Sequence, residues 1–393
     1  MDKQLISTHR KLYETMLLDD VIPFWLKHSP DRENGGYLHM LNRDGSAYST
    51  DKFAWPHGRE VWTFATLCDE VEKRDEWLDM AKLGWDFIVK HFINDEGRVW
   101  YSVDRKGTPL SIPRRIFSET FVIMAAVRYA RVTGDQQAAE IARSMFKKVQ
   151  EMIDTPAAAP QKGIAGVRDM ITMAIPMIMM NVTREMMLLE GETPELLAYS
   201  SQCIDTFLTK HVHPERKLVF ENVAPDGSLM LDYPEGRFLI PGHAIEGAWF
   251  IMQEGMTRND QTLIDKACEL MLWELDFGWD KEFGGITYFM DSEGGVPLPL
   301  ESDMKLWWCH NEALIALLHA LHLKGGAEYE GWYRKIHDYT FDLFPDKEYG
   351  EWQGYYHRDG RVAQPLKGSN WKCCFHLPRH LIVGWQLLKK LEA

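Results

Sequence analysis

The sequence predicts an all-α protein: an (α/α)6 barrel, six helical hairpins closed into a toroid with short β-hairpins at one mouth. Three observations lead there. First, an apolar or aromatic stretch running into a polar turn that closes on glycine, the mark of a strand entering a tight hairpin, occurs five times, at 37–45, 99–107, 218–227, 286–294 and 355–360. Second, the closing glycines Gly45, Gly107, Gly227, Gly294 and Gly360 are separated by 62, 120, 67 and 66 residues, so the long gap reads as two periods with a degenerate hairpin near Gly163 to Gly166. Third, each of the resulting six units carries two stretches with apolar residues at helical spacing, and a fixed period of this length decides the fold before any local reading does.

In chain order the helical stretches are 58–71 with 76–92, 118–133 with 136–153, 171–189 with 194–211, 242–256 with 261–276, and 312–323 with 327–344. Stretch 377–391 has no partner after it and 4–28 has none before it. Joining these two completes a sixth pair and closes the ring, which removes the capping units an open array needs. The stretch after each hairpin is the more apolar, as in 171–182 and 313–321, and is expected in an inner ring. The stretch before each hairpin carries more charge and is expected outside, with one face in solvent. The starts of the inner helices then line one mouth of the barrel.

Composition narrows the class. At 393 residues and 45% hydrophobic, the chain can bury a large core, and the repeat assigns 1–393 to one domain. A net charge of -14 with no basic run excludes phosphate tracking along nucleic acid. Residues 1–11 lack the apolar core of a signal peptide, and 171–182, the most apolar stretch, is too short to span a bilayer and contains Thr172 and Pro176. A cytoplasmic protein without membrane partners is expected. The six cysteines show no zinc or redox spacing and read as reduced; Cys373-Cys374 reads as packing, because adjacent side chains cannot both face a site.

Three histidines stand sixteen residues after a closing glycine: His243, His310 and His376. Equal offsets in a repeat predict one position reached three times and side chains converging on one centre. Glu246 follows His243 at i+3 and Arg379 follows His376 at i+3, so each pair shares a helical face. Other units contribute Arg59, Glu119 and Asn181, and the fifth adds Glu312 beside His310. Each has a structural explanation when taken alone; a histidine near a helix start commonly satisfies local groups, and Arg59-Glu60 could be a solvated pair. Their common phase points to chemistry, because ionisable residues recur where an inner helix is otherwise apolar. Trp55, Trp249, Trp307, Trp308 and Trp371 stand beside the same mouth and offer flat faces to a sugar ring, or else pack the core.

Gly242-His243-Ala244-Ile245-Glu246, Trp307-Trp308-Cys309-His310-Asn311-Glu312 and His376-Leu377-Pro378-Arg379 resemble the N-acylglucosamine 2-epimerase family, and the likeness runs from Phe24 to the C-terminus. The resemblance implies an (α/α)6 barrel acting on reducing sugars without a redox cofactor or metal, ATP as an allosteric activator, and a homodimer. Relatives that epimerise cellobiose or mannobiose, or isomerise aldoses and ketoses, carry a further histidine where this chain has Asn181. Its absence is similar to the N-acetylglucosamine branch, in which Lys162 and Asn181 would help bind substrate.

The chemistry this implies is inversion at C2 of an open-chain sugar: a base removes the α-proton on one face and an acid returns one on the other. Two imidazoles suffice, since histidine titrates near neutrality, and each such group contributes about 10²–10⁴-fold. His243 and His376 lie two units apart, a third of the way round the ring. Glu246 is expected to favour the charged form of His243 and Arg379 to disfavour that of His376, making His376 the base and His243 the acid when N-acetylglucosamine is converted. Arg59 would stabilise the enediolate oxygen. Glu246 and Glu312 would orient imidazoles or hydroxyls, and Trp308, His310, Arg379 and Glu119 would complete the substrate site. Three other classes use the same residues: a glycosidase of this barrel, which needs opposed carboxylates; a metal enzyme using His243, Glu246, His310 and His376; and a non-catalytic docking protein.

Overall fold

The computed structural model describes residues 1–113, 115–155, 164 and 166–393. Among the described residues, twelve long helices alternate between an outer and an inner ring. They are α1 (Lys3–Thr15, carried on by a π-helical turn Met16–Val21 and by Ile22–His28), α2 (Ala54–Glu70), α3 (Asp75–Phe87), α4 (Phe117–Thr133), α5 (Gln136–Asp154), α6 (Ala174–Glu190), α7 (Pro194–Thr206), α8 (Pro241–Arg258), α9 (Gln261–Gly278), α10 (Trp307–Leu323), α11 (Ala327–Leu343) and α12 (His376–Glu392).

The even-numbered helices pack side by side in order, and α12 returns to α2, which closes the inner ring. Each inner helix pairs with the outer helix that follows it, and α12 pairs with α1. The pairing expected from the unmatched ends is therefore the one observed. Burial follows the same division. Every residue of α10 from Trp307 to Leu321 is buried, whereas α11 buries Tyr333, Ile336, His337 and Thr340, a single stripe at i, i+3, i+4 and i+7. One hydrophobic core takes residues from all twelve helices. Among the described residues, no helix is long and apolar enough to cross a membrane.

Local chemistry sets the helix ends. Asp135, Thr193 and Asp260 cap α5, α7 and α9 by accepting backbone N–H bonds of the first turn. Gly134 and Asn259 end α4 and α8 in the left-handed region. The outer stretches expected to run unbroken over 4–28, 76–92 and 194–211 instead contain π-helical turns at Met16–Val21, Ile88–Phe92 and Phe207–His211.

All five hairpin glycines have positive φ, between 77° and 98°. Each donates its N–H to the carbonyl three residues earlier, at 2.8 to 3.1 Å, a closed turn that L side chains resist. The degenerate sixth hairpin falls partly outside the described residues. The hairpins join neighbouring units: Lys52–Phe53, just before α2, pairs with Ser102–Val103 of the next unit, and Met304–Leu306, just before α10, pairs with Tyr355–His357.

Beneath three hairpins lies a repeated ion cluster. Asp31, Asp280 and Asp346 are each bonded to a fully buried lysine, Lys52, Lys305 and Lys367, at 2.9 to 3.0 Å. An arginine from a hairpin turn completes each cluster: Arg105, Arg358 and Arg43. Paired lysines also donate to loop carbonyls, so the buried ammonium groups are satisfied, as burial demands. These clusters hold the turns that deliver the chain to α2, α10 and α12.

Candidate active site

Where the inner helices begin, the barrel opens into a cavity of about 390 Å³, at the low end of the roughly 300–1,000 Å³ of small-molecule sites. All six inner helices contribute to its wall. Its lining includes the apolar Phe117, Phe121, Ala174, Met177 and Ile178 and the polar or charged Arg59, His243, Glu246, His376 and Arg379. Trp55 and the half-exposed Trp371 meet edge to face at 5.3 Å between ring centroids at the rim.

His243, third residue of α8, is held at Nδ1 by Glu221, which accepts at 3.1 Å. His376, first residue of α12, is held at Nδ1 by Glu312, which accepts at 2.8 Å. The Nε2 of each ring makes no hydrogen bond among the described residues, and both residues line the cavity. Trp308 lies against both, its ring 5.2 Å from that of His243 and 5.6 Å from that of His376. The two imidazoles thus both pack against one indole at the cavity wall, with a free nitrogen each.

The two rings sit in different fields. Burial opposes the charged form of His243, but the charge of Glu221 and its hydrogen bond outweigh it, with Glu246 adding, so its pKa is raised above 6.5. Burial acts the same way on His376, and Arg59 and Arg379 reinforce it, so its pKa falls well below 6.5. The directions expected from the i+3 neighbours hold, but the principal partner of His243 does not. Glu246 turns to Arg379, which it accepts in a short bond, and Arg379 also lies 2.6 Å from Glu312.

Arg59 stacks on Phe121 at 4.1 Å and Phe375 at 5.0 Å and donates to the Trp371 carbonyl at 3.3 Å. No carboxylate pairs with it among the described residues. Its neighbour Glu60 is fully buried against Ser29, so Arg59-Glu60 is not a solvated pair. Asn181 reaches the cavity wall from α6, and its amide touches only the Met124 sulfur, at 3.6 Å.

Two assignments need correction, that of Glu312 is narrowed, and one lies out of reach. His310 does not face the cavity: it is fully buried, its Nε2 accepts from the Ile286 N–H at 2.9 Å, and Nδ1 donates to the Leu306 carbonyl at 2.8 Å. His57 makes the same two bonds, to the Tyr37 N–H and the Phe53 carbonyl, so His310 and His57 are the equivalent pair. The shared offset of sixteen misled because it counts from the hairpin. His243 and His376 each line the cavity together with the residue three positions on, Glu246 and Arg379, whereas neither His310 nor Ala313 does, and since a helix turns about 100° per residue, a slip of one position carries a side chain off the cavity. Glu119 is also fully buried, accepting from Arg98 at 2.7 Å and from the Val99 N–H at 3.2 Å. Glu312 does not line the cavity as a substrate contact; of the two roles expected of it, it takes that of orienting an imidazole, standing behind His376 and accepting from Trp249 at 3.0 Å. Lys162 lies outside the described residues.

The four-residue metal set is not assembled. Glu246, Glu312 and His376 do approach one another, but the Arg379 guanidinium already bridges the two carboxylates, and a second cation there would meet like charge. Glu221 was not singled out from sequence, although it is the only acid within the apolar run 218–224.

A closed helical toroid presenting two carboxylate-held imidazoles to one small cavity defines a barrel enzyme of the acid–base class. The family model described as N-acylglucosamine 2-epimerase (GlcNAc 2-epimerase) matches residues 36–377, and the chain belongs to that family. An N-acylglucosamine 2-epimerase of Bos taurus is 37% identical over 95% of this chain and 90% of its own. A cellobiose 2-epimerase of Ruminococcus albus is 23% identical over 92% and 94%, so the sequence sits nearer the first group. The solved cellobiose 2-epimerase of Bacillus thermoamylovorans superimposes with a TM-score of 0.84 over 97% of this chain and 99% of that one, at 20% identity, a likeness of fold.

Proposed function

We propose that the chain is a sugar 2-epimerase, an isomerase interconverting N-acetyl-D-glucosamine and N-acetyl-D-mannosamine. The observation that carries this reading is the pair of imidazoles at one cavity, each held at Nδ1 by its own buried carboxylate and free at Nε2. Once the sugar ring opens, C2 lies beside the aldehyde and its proton is acidic enough for a positioned base. His376, neutral, takes the proton of N-acetylglucosamine on one face, and His243, protonated, returns one on the other. The roles exchange in the reverse direction. Arg59, a cation with no carboxylate of its own, faces the oxygen on which charge develops.

The remaining groups bind. Asn181 has an amide free to meet the acetamido group, and Phe121, Met177 and Ile178 form an apolar surface for its methyl. Trp308, Glu246 and Arg379 complete the wall, and Trp55 with Trp371 stacks against the sugar at the rim. The whole chain acts as one catalytic domain.

ATP activation, a homodimer and cytoplasmic residence extend the proposal; the six free cysteines support the last. The pairs Gly35-Gly36 and Gly284-Gly285 do not form a phosphate cradle. Gly36 packs on His57 and Phe87, and Gly285 on Tyr339, where even a Cβ would collide. No step of the mechanism therefore runs through a nucleotide. The test is to incubate purified protein with N-acetylglucosamine, N-acetylmannosamine, cellobiose and mannose and identify C2 products. Interconversion of the two N-acetylhexosamines supports the reading; conversion of cellobiose alone overturns it.

A further inference from the structure

The two imidazole–carboxylate pairs look alike but differ in what surrounds the carboxylate. Glu312 is bonded to Arg379 at 2.6 Å and to Trp249 at 3.0 Å as well as to His376. Its negative charge is compensated where it stands. Glu221 is buried as well, yet among the described residues its side chain bonds only to His243 and the Thr172 hydroxyl, which donates to Oε1 at 3.1 Å. No arginine or lysine touches it among the described residues. A buried carboxylate without a fixed cation is costly, and protonated His243 is the group placed to offset that cost.

The position of Glu221 is also fixed by backbone. Thr172 pairs with Asn222 in a short antiparallel ladder, and the Met173 N–H donates to the Glu221 carbonyl at 2.8 Å. The strand before α6 thus clamps the residue that holds the imidazole of α8. We infer that Glu221, clamped by Thr172, is the positioning residue that fixes His243 with Nδ1–H toward the carboxylate and Nε2 toward the substrate, and that keeps His243 protonated in the free enzyme, ready to donate when N-acetylglucosamine is converted. This rests on the two-imidazole reading above and adds what makes the two histidines unequal.

The other charged groups facing His243 supply less of that difference. Glu246 on the same helix is bonded to Arg379 of α12, Arg59 of α2 opposes a positive His243, and His376 of α12 is neutral; α10 contributes the uncharged Trp308. Beyond Glu221 lies His211, whose Nδ1 is bonded to the Phe220 carbonyl and whose pKa burial lowers.

The test is the pH profile of kcat/KM for the whole enzyme with Glu221→Gln, Thr172→Val and His243→Asn. Gln keeps an acceptor for Nδ1–H and removes the charge. Glu221→Gln is expected to move the alkaline limb down by about one pH unit, a tenfold loss above the limb, and to leave the acid limb in place. Thr172→Val keeps the charge and loosens the clamp, so kcat is expected to fall several-fold with both limbs unmoved. An alkaline limb unchanged in Glu221→Gln, while His243→Asn is inactive, overturns this inference alone. Full activity of His243→Asn overturns the two-imidazole reading as well. Should Glu221→Gln not fold, nitrogen-15 NMR of histidine in the wild-type protein decides. A neutral Nδ1–H tautomer titrating above 6.5 is expected for His243, and an Nε2–H tautomer contradicts the inference.

Discussion

Arg379 Nη2 lies 2.6 Å from Glu312 Oε1, between that carboxylate and the one on Glu246. The guanidinium compensates the group that holds His376, so the ring keeps its orientation without gaining a net negative neighbour. Together with burial and Arg59, this holds His376 neutral.

Removing that cation has a signed consequence. In Arg379→Met the charge on Glu312 and Glu246 is no longer compensated, and the pKa of His376 is expected to rise. Since His376 works as a base, the acid limb of kcat/KM should move upward. Stability should fall by about 3–5 kcal/mol, the usual effect of breaking a buried ion pair from one side, measured by denaturant unfolding.

The wild-type profile follows from the same two shifts. A base must be unprotonated, so activity is lost as pH falls through the pKa of His376, well below the ordinary 6.5. An acid must be protonated, so activity is lost as pH rises through the pKa of His243, above 6.5. The expected kcat/KM curve is a plateau spanning neutrality. Both directions should share its limbs, because the macroscopic values belong to the free enzyme.

Asn181→Ala should raise KM for an N-acetylhexosamine by about five- to tenfold, the loss of roughly one hydrogen bond. Its effect should be smaller on mannose, which lacks the acetamido group. Initial-rate kinetics on the two sugars measure the difference.

The ion clusters under the hairpins give a stability test away from the cavity. Lys305 and Asp280 are 3.0 Å apart with both side chains buried. Lys305→Met removes the buried cation, leaving the carboxylate the half-exposed Arg358 and the N–H groups of Glu282 and Phe283, and should lower the unfolding free energy by about 3–5 kcal/mol. Glycine-to-carbonyl turn bonds alone would not show that loss.

The ring, its closure through α12 and α1, and the mouth that carries the chemistry are legible in the sequence, because a period of hairpins and paired helices admits few arrangements. His243, His376, Arg59 and Asn181 were found for the same reason: polar residues at the start of apolar helices have one cavity to face. His310 fails where the period is counted from the wrong landmark, since hairpin length and helix start vary independently between units. Glu221 escaped because it lies in a bend between the short strands Leu218–Val219 and Asn222–Val223 and reaches His243 across the fold; its isolation among apolar neighbours is what marks it. The buried lysines pair with aspartates 21 or 25 residues earlier, a spacing with no helical or strand periodicity to reveal it.

The central claim is that two histidines act on opposite faces of C2, and deuterium uptake at C2 in heavy water by the single variants His243→Asn and His376→Asn tests it most directly. His243→Asn retains the base for N-acetylglucosamine and should exchange its C2 proton without forming N-acetylmannosamine. His376→Asn should exchange N-acetylmannosamine without forming its epimer. Epimerisation should fall by about 10²–10⁴-fold in each. Epimerisation at the wild-type rate by either variant would contradict the account.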